Sequence, residues 1–209
     1  NNQQGISNRE GKKFYLNWTL DIDIDRRKRM SSLALNAIFS GGLLIVAGLA
    51  PLMAPRAVSS ALAAFPRSVW PGRLLAAVAV AWFAWLLLQE KMSFIEEYRV
   101  VVYLGAPLIY MAAVFLMDEL LSVRAFGAVL LLLPQPIIDA AFVCDYPSRL
   151  IMITFAYVLV IAGSILVWSP YLFRKTVEAL ERKPVLRRGL DMGVGAFGAL
   201  LLALGLFWY

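Results

Sequence analysis

Few residues in this chain are equipped for chemistry, and they are scattered. Asp139 is the one acidic residue well inside a long apolar run, about Ala125 to Val143. A charge at the centre of a bilayer costs ~2.5–3.5 kcal/mol on insertion scales, so such a residue usually faces protein or water and serves a function. Pro134-Gln135-Pro136 stands just before it. Two prolines remove backbone donors and free carbonyls, and Gln135 can bond those groups or line a polar path. Pro134, Gln135, Pro136 and Asp139 are therefore a candidate transport or ion-pair site. Three readings stand together: a proton or cation site, an ion pair with a basic residue, or an embedded run that ends near Pro136 and leaves Asp139 at the interface.

Other chemistry is excluded by what the chain lacks. It has no histidine, and Cys144 is its single cysteine. A Ser-His-Asp triad, a Cys-His dyad, a histidine-ligated haem and a Cys/His zinc site are all impossible. So is a disulfide within the chain. Cys144 reads as a small buried hydrophobe, with no histidine to activate it. Asp118, Glu119, Asp139 and Asp145 offer carboxylates for a metal-dependent, lipid-modifying enzyme, but no two share one run at helical spacing. No catalytic residue, metal or cofactor is assigned, and bound lipids are expected.

Two motifs match chemistry literally and fail in context. Asp21, Asp23 and Asp25 open like an EF-hand loop, but Arg26 and Ser32 stand where the glycine and the closing glutamate are needed. Gly193-Val194-Gly195-Ala196-Phe197-Gly198 spells G-x-G-x-x-G after a basic loop rather than a strand. Glycines at such spacing let helices approach closely in lipid. Gly189, Gly193, Gly195 and Gly198 are therefore expected to pack the last helix, with a similar contact at Gly41, Gly42 and Gly48.

The elements that must carry these residues follow from composition. Of 209 residues, 61 % are apolar and 16 % charged. Soluble domains run nearer ~45–50 % and ~25 %, so the chain reads as an all-α polytopic membrane protein of five to six transmembrane or re-entrant helices. The apolar runs are about Ser31 to Met53, Leu74 to Leu88, Val100 to Met117, Ala125 to Val143, Leu150 to Trp168 and Met192 to Tyr209. A span needs ~20 residues, and the second run reaches that only with its flanks. Residues 1–30 form a polar segment before this membrane domain of 31–209. Asn1 rather than Met stands first, which implies a missing or processed start, and no signal peptide is visible.

Charge gives a topology test. If all six runs cross, the Lys and Arg residues divide ten and ten. If the fourth run dips in and returns at its Pro-Gln-Pro break, they divide fifteen and five. The positive-inside rule then puts the N-terminal segment and the Arg174–Arg188 connection together on the cytoplasmic side. A kinked full span is the alternative.

Before the membrane, Phe14, Leu16, Trp18, Leu20, Ile22 and Ile24 alternate with polar residues. Strict alternation predicts a strand. No second such stretch exists, so the strand seeks a partner at another subunit's sheet edge or lies along the membrane interface. Asn17-Trp18-Thr19 is a glycosylation sequon that this topology places inside. Later, Ser169-Pro170 begins an expected interfacial amphipathic helix over 170–183, or extends the fifth run. Its basic side suits anionic headgroups. Trp70, Trp168, Trp208 and Tyr209 lie near run ends like an aromatic belt. Trp82 and Trp85 sit mid-run, for packing or for lining a groove.

These features favour a non-catalytic subunit of a larger membrane complex, with other protein subunits and anionic lipids as partners and no nucleic acid. The alternative is a small transporter or channel component using the break at Asp139. Compact size and short loops fit a prokaryotic inner membrane.

Overall fold

The computed structural model describes residues 31–89, 99–116, 120–142 and 147–208. Of these, 94 % are helical and none forms a strand. The expected strand over 14–25 lies outside the described residues. In chain order the helices are α1 (Ser31–Met53), α2 (Pro55–Ala64), a 3₁₀ turn (Phe65–Arg67), α3 (Val69–Gln89), α4 (Arg99–Leu116), α5 (Leu121–Leu132), α6 (Pro134–Ala141), α7 (Arg149–Trp168), α8 (Pro170–Arg182) and α9 (Pro184–Phe207). Six stretches are long and apolar enough to cross a membrane: α1, α3, α4, α5 with α6, α7 and α9. The chain is a polytopic all-α integral membrane protein. Helices are the open-chain solution in lipid, because each satisfies its backbone polar groups internally.

The Pro-Gln-Pro break does not turn the chain back. Leu133, between α5 and α6, keeps right-handed helical angles (φ −57°, ψ −35°), and its N–H still bonds the Val129 carbonyl at 3.1 Å. Pro134 and Pro136 fall in the first turn of α6, where a missing donor and a fixed φ are tolerated. Both α5 and α6 pack along α7, so Leu121–Ala141 forms one span. The re-entrant reading is corrected on this point, and the fifteen-to-five charge division falls with it. Six crossings restore the even division, which selects neither side.

A second correction concerns the ends of the bundle. Ala34 meets Gly205, Gly41 meets Gly198, and Gly48 meets Gly195. Hence α1 and α9 run antiparallel. The start of α9 therefore lies beside the end of α1, where Arg187 Nη2 donates to the Pro55 carbonyl at 3.5 Å. The Arg174–Arg188 connection sits at the opposite end of α1 from Ser31, not on the same side as expected. The last helix also begins eight residues before the apolar run, since Pro184 serves as a first-turn residue. Its charged opening turn is accommodated by an Arg187–Asp191 pair at 3.8 Å.

At this α8 end, α2, the 3₁₀ turn and α8 form a layer across the bundle. Phe65 ties them together, with its ring 6.1 Å from both Phe126 of α5 and Phe173 of α8. Ser169 breaks the helical path, so α8 is a separate helix rather than an extension of α7.

The span formed by α5 and α6 is the most buried of the six and α4 the least. The central span joins two cores at its two ends. Near the Ser31 end, Ile137, Ala140 and Ala141 of α6 pack with Leu33 and Ala37 of α1, Met152, Phe155 and Ala156 of α7, and Leu201 of α9. Near the α8 end, Leu121 and Ala125 of α5 pack with Ala76 of α3 and Val114 of α4.

Candidate functional site

The Pro-Gln-Pro segment is held in place by a residue that the sequence reading passed over. Asn36 lies in the second turn of α1, and its Nδ2 donates to the Pro136 carbonyl at 3.0 Å. Pro134 is buried, while Gln135 and Pro136 are partly buried. Proline nitrogens at 134 and 136 cannot donate back to the Leu130 and Leu132 carbonyls of α5. The Asn36 amide bonds the Pro136 carbonyl further along, as an added tie from α1. A polar residue six positions into an apolar run was the available signal.

Asp139 is not brought into this contact. It lies in the last turn of α6 and is exposed. Among the described residues it has no hydrogen bond or ion pair. Pro134, Gln135, Pro136 and Asp139 therefore share one short helix, but among the described residues only the Pro136 carbonyl makes a hydrogen bond across the bundle. That arrangement braces α1 against α6.

The glycines divide by face. A Cβ at Gly41 would fall 2.6 Å from the Leu202 nitrogen and 2.7 Å from the Gly198 carbonyl oxygen. At Gly48 it would fall 2.6 Å from the Gly195 nitrogen, and at Gly198 2.7 Å from the Ile45 nitrogen. These are backbone-to-backbone approaches that no side chain can make way for. Gly205 closes the same seam against Ala34, Ala37 and Ile38. In contrast, a Cβ at Gly42, Gly189 or Gly193 would meet no described residue within 4 Å. The Gly189-Gly193 pair thus points away from α1. It continues through Ala196, Leu200 and Ala203, all exposed, as one stripe on the open side of α9. A second glycine crossing pins α5 to α7, where a Cβ at Gly127 would fall 2.9 Å from the Gly163 oxygen.

The third feature is an apolar groove of about 640 Å³ between α3, α4 and α5. Phe83 and Leu87 of α3, Val101 and Ile109 of α4, and Leu131 and Leu132 of α5 are among its walls. It lies toward the Ser31 end, away from the core that binds the same three helices together. Trp82 and Trp85 do not line it. Trp70, Trp168 and Trp208 are exposed at the ends of their spans, at belt positions.

Among the described residues no group of three or more His, Cys, Asp or Glu side chains is placed to hold a metal ion. Charge is distributed unevenly between the ends. Among the described residues the α8 end carries ten Lys and Arg side chains, from Arg56 through Arg188, against Glu178, Glu181 and Asp191; the other end carries Arg99, Arg149 and Asp139.

Compared with protein-family models, with curated proteins and with solved structures, the chain matches none.

Proposed function

We propose that this chain is a non-catalytic integral-membrane subunit of a larger complex, anchoring or stabilising its partners through helix contacts. The observation that carries the reading is the open face of α9. Gly189 and Gly193 stand one turn apart at a position where no described residue lies within 4 Å, while Gly198 and Gly205 on the other side of the helix are used against α1. In lipid, apolar burial does not drive helices together; close backbone approach does, and small residues permit it. A helix with two such faces, one filled and one open, suits a protein with a helical neighbour.

The alternating segment from Phe14 to Ile24 is the proposed second contact, a strand added to a partner's sheet edge. The groove between α3, α4 and α5 supports bound lipid, since its apolar walls suit an acyl chain. Small size and short connections support a prokaryotic inner membrane.

The test is purification in mild detergent from the native membrane, followed by mass analysis. Wild-type chain should carry other polypeptides in fixed ratio. Gly189→Leu with Gly193→Leu should release a partner while the thermal stability of the chain itself holds. Release should also follow Trp18→Asp with Leu20→Asp. Co-purification unchanged in both variants contradicts the proposal.

A further inference from the structure

At the α8 end, three arginines surround a cavity of about 420 Å³. Arg67 comes from the 3₁₀ turn, Arg73 from the first turns of α3, and Arg174 from the first turns of α8. Ser68 and Ser122 add hydroxyls, and no acidic side chain among the described residues lines the cavity. Its other walls are apolar, with Val69, Val114 and Leu121 among them.

The backbone adds to this positive character. Ser68 immediately precedes α3, and Leu120 and Leu121 begin α5, so two helix N-termini open on one cavity. The first N–H groups of a helix have no partner inside it, and the helix dipole makes this end positive. The two ends are locked side by side. Ser122 Oγ donates to the Ser68 carbonyl, and the absence of a side chain at Gly72 lets α3 close on Ser122, whose Oγ a Cβ would meet at 2.8 Å.

Among the described residues, neither Arg67 nor Arg73 has a hydrogen bond or ion pair. Arg174 has Glu178, at 3.5 Å, with both side chains more than half exposed. An exposed pair of that kind is weak. Glu178 and Glu181 line a separate cavity of about 170 Å³ on the far side of Arg67 and Arg174. The acids therefore lie to one side, and the larger cavity is left to the cations.

We infer that this cavity binds a phosphate group. Arginine forks pair with phosphate oxygens through charge-assisted hydrogen bonds, and helix N-termini bind the same group. The depth and walls favour a phosphate carried by an anionic phospholipid. The cavity lies at the level of Trp70 and Trp168, which are 75 % and 88 % exposed at the ends of their spans, the headgroup level for such rings. Val69, on its apolar wall, is itself 53 % exposed at the start of α3. The inference goes beyond the subunit reading and does not depend on it.

The test uses the full chain, delipidated in detergent and titrated with phosphatidylglycerol, phosphatidylcholine or inorganic phosphate. Bound lipid is read by native mass spectrometry and midpoint temperature. Wild type should bind phosphatidylglycerol and be stabilised by it, less so at high salt. Arg67→Gln and Arg73→Gln should each weaken that binding by about tenfold, the size of one charged hydrogen bond. Arg182→Gln, on the same basic end but outside the cavity, should change it by less than about twofold, since exposed charges contribute little. Displacement of the lipid by millimolar inorganic phosphate would keep the site and identify its ligand as free phosphate. Equal binding of phosphatidylcholine, or equal losses in Arg67→Gln and Arg182→Gln, would overturn it. So would phosphatidylglycerol binding that appears only after Asp118→Asn with Glu119→Gln, because the cavity would then belong to the acids that precede Leu120 in the chain.

Discussion

α1 and α9 meet backbone to backbone along a whole seam, whereas α3, α4 and α5 close at one end, where Gly72 meets Ser122, and leave a groove at the other. The first pair has glycine at Gly41, Gly48, Gly198 and Gly205, where a single Cβ would collide. Within the second group one glycine, Gly72 of α3, makes such an approach, to Ser122 at the α8 end, while Gly105 lies beside the groove, where no described residue comes within 4 Å. Both regions are apolar, and composition does not separate them. What separates them is whether small residues on two helices fall opposite one another. Facing glycines let dispersion contacts form along a whole seam. Leu, Val and Phe at the same depth hold helices apart and leave room for lipid.

The comparison can be broken most forcefully at the seam. Gly41→Ala or Gly198→Ala should cost about 1–3 kcal/mol, the usual scale of overpacking, because the obstructing atoms are backbone. Gly42→Ala, one position away, meets no described residue within 4 Å. It should be neutral or slightly stabilising, since alanine is the better helix former by up to ~1 kcal/mol. Thermal unfolding in one detergent, with the variants side by side, checks the pair. Equal effects at 41 and 42 would mean that the helices do not meet as described.

A smaller loss is expected at the brace between the seam and the central span. Asn36→Leu removes the donor to the Pro136 carbonyl. Interhelical hydrogen bonds in membranes average about 0.6 kcal/mol and reach about 1.7, and the loss should fall in that range. Asp139→Asn should be nearly silent in the same assay, because that side chain is exposed in the last turn of α6. Rapid labelling of a cysteine at 139 by a water-soluble maleimide, in a Cys144→Ser background, should accompany it. A large stability loss in Asp139→Asn would show that the carboxylate is engaged after all.

The smallest stability effect is expected in the groove. Gly105→Leu adds a side chain beside an open cavity of about 640 Å³ and should move stability by less than about 0.5 kcal/mol, as surface-like changes do. Co-purifying lipid should fall at the same time. A strongly destabilised variant would mean that α3, α4 and α5 close together as tightly as α1 and α9.

Much of this architecture was legible from the sequence, for identifiable reasons. Apolar runs of span length are unambiguous, and all six became helices. Their ends were harder: Val69 and Pro184 begin spans well before the apolar residues do, because a proline in the first turn and an Arg187–Asp191 pair make polar opening turns tolerable. The Pro134-Gln135-Pro136 break misled, since proline marks the start of a helix as readily as its interruption. Topology went wrong as a consequence, because the charge count inherited that choice. The glycine pattern identified α9 as a packing helix without saying which glycines face α1. The arginine cavity was invisible, as Arg67, Arg73 and Arg174 are far apart in sequence and meet only through the layer built on Phe65.

The central claim is that α9 presents one occupied glycine face and one face meant for a different polypeptide. Site-specific crosslinking tests it directly. A photo-reactive leucine analogue in place of Leu200, on the open stripe, should yield a crosslink to another polypeptide in native membranes, and the same analogue in place of Leu201, buried against Leu33 and Ala37 of α1, should crosslink only within the chain. No adduct from 200, or an adduct only with a second copy of this chain, would contradict the account.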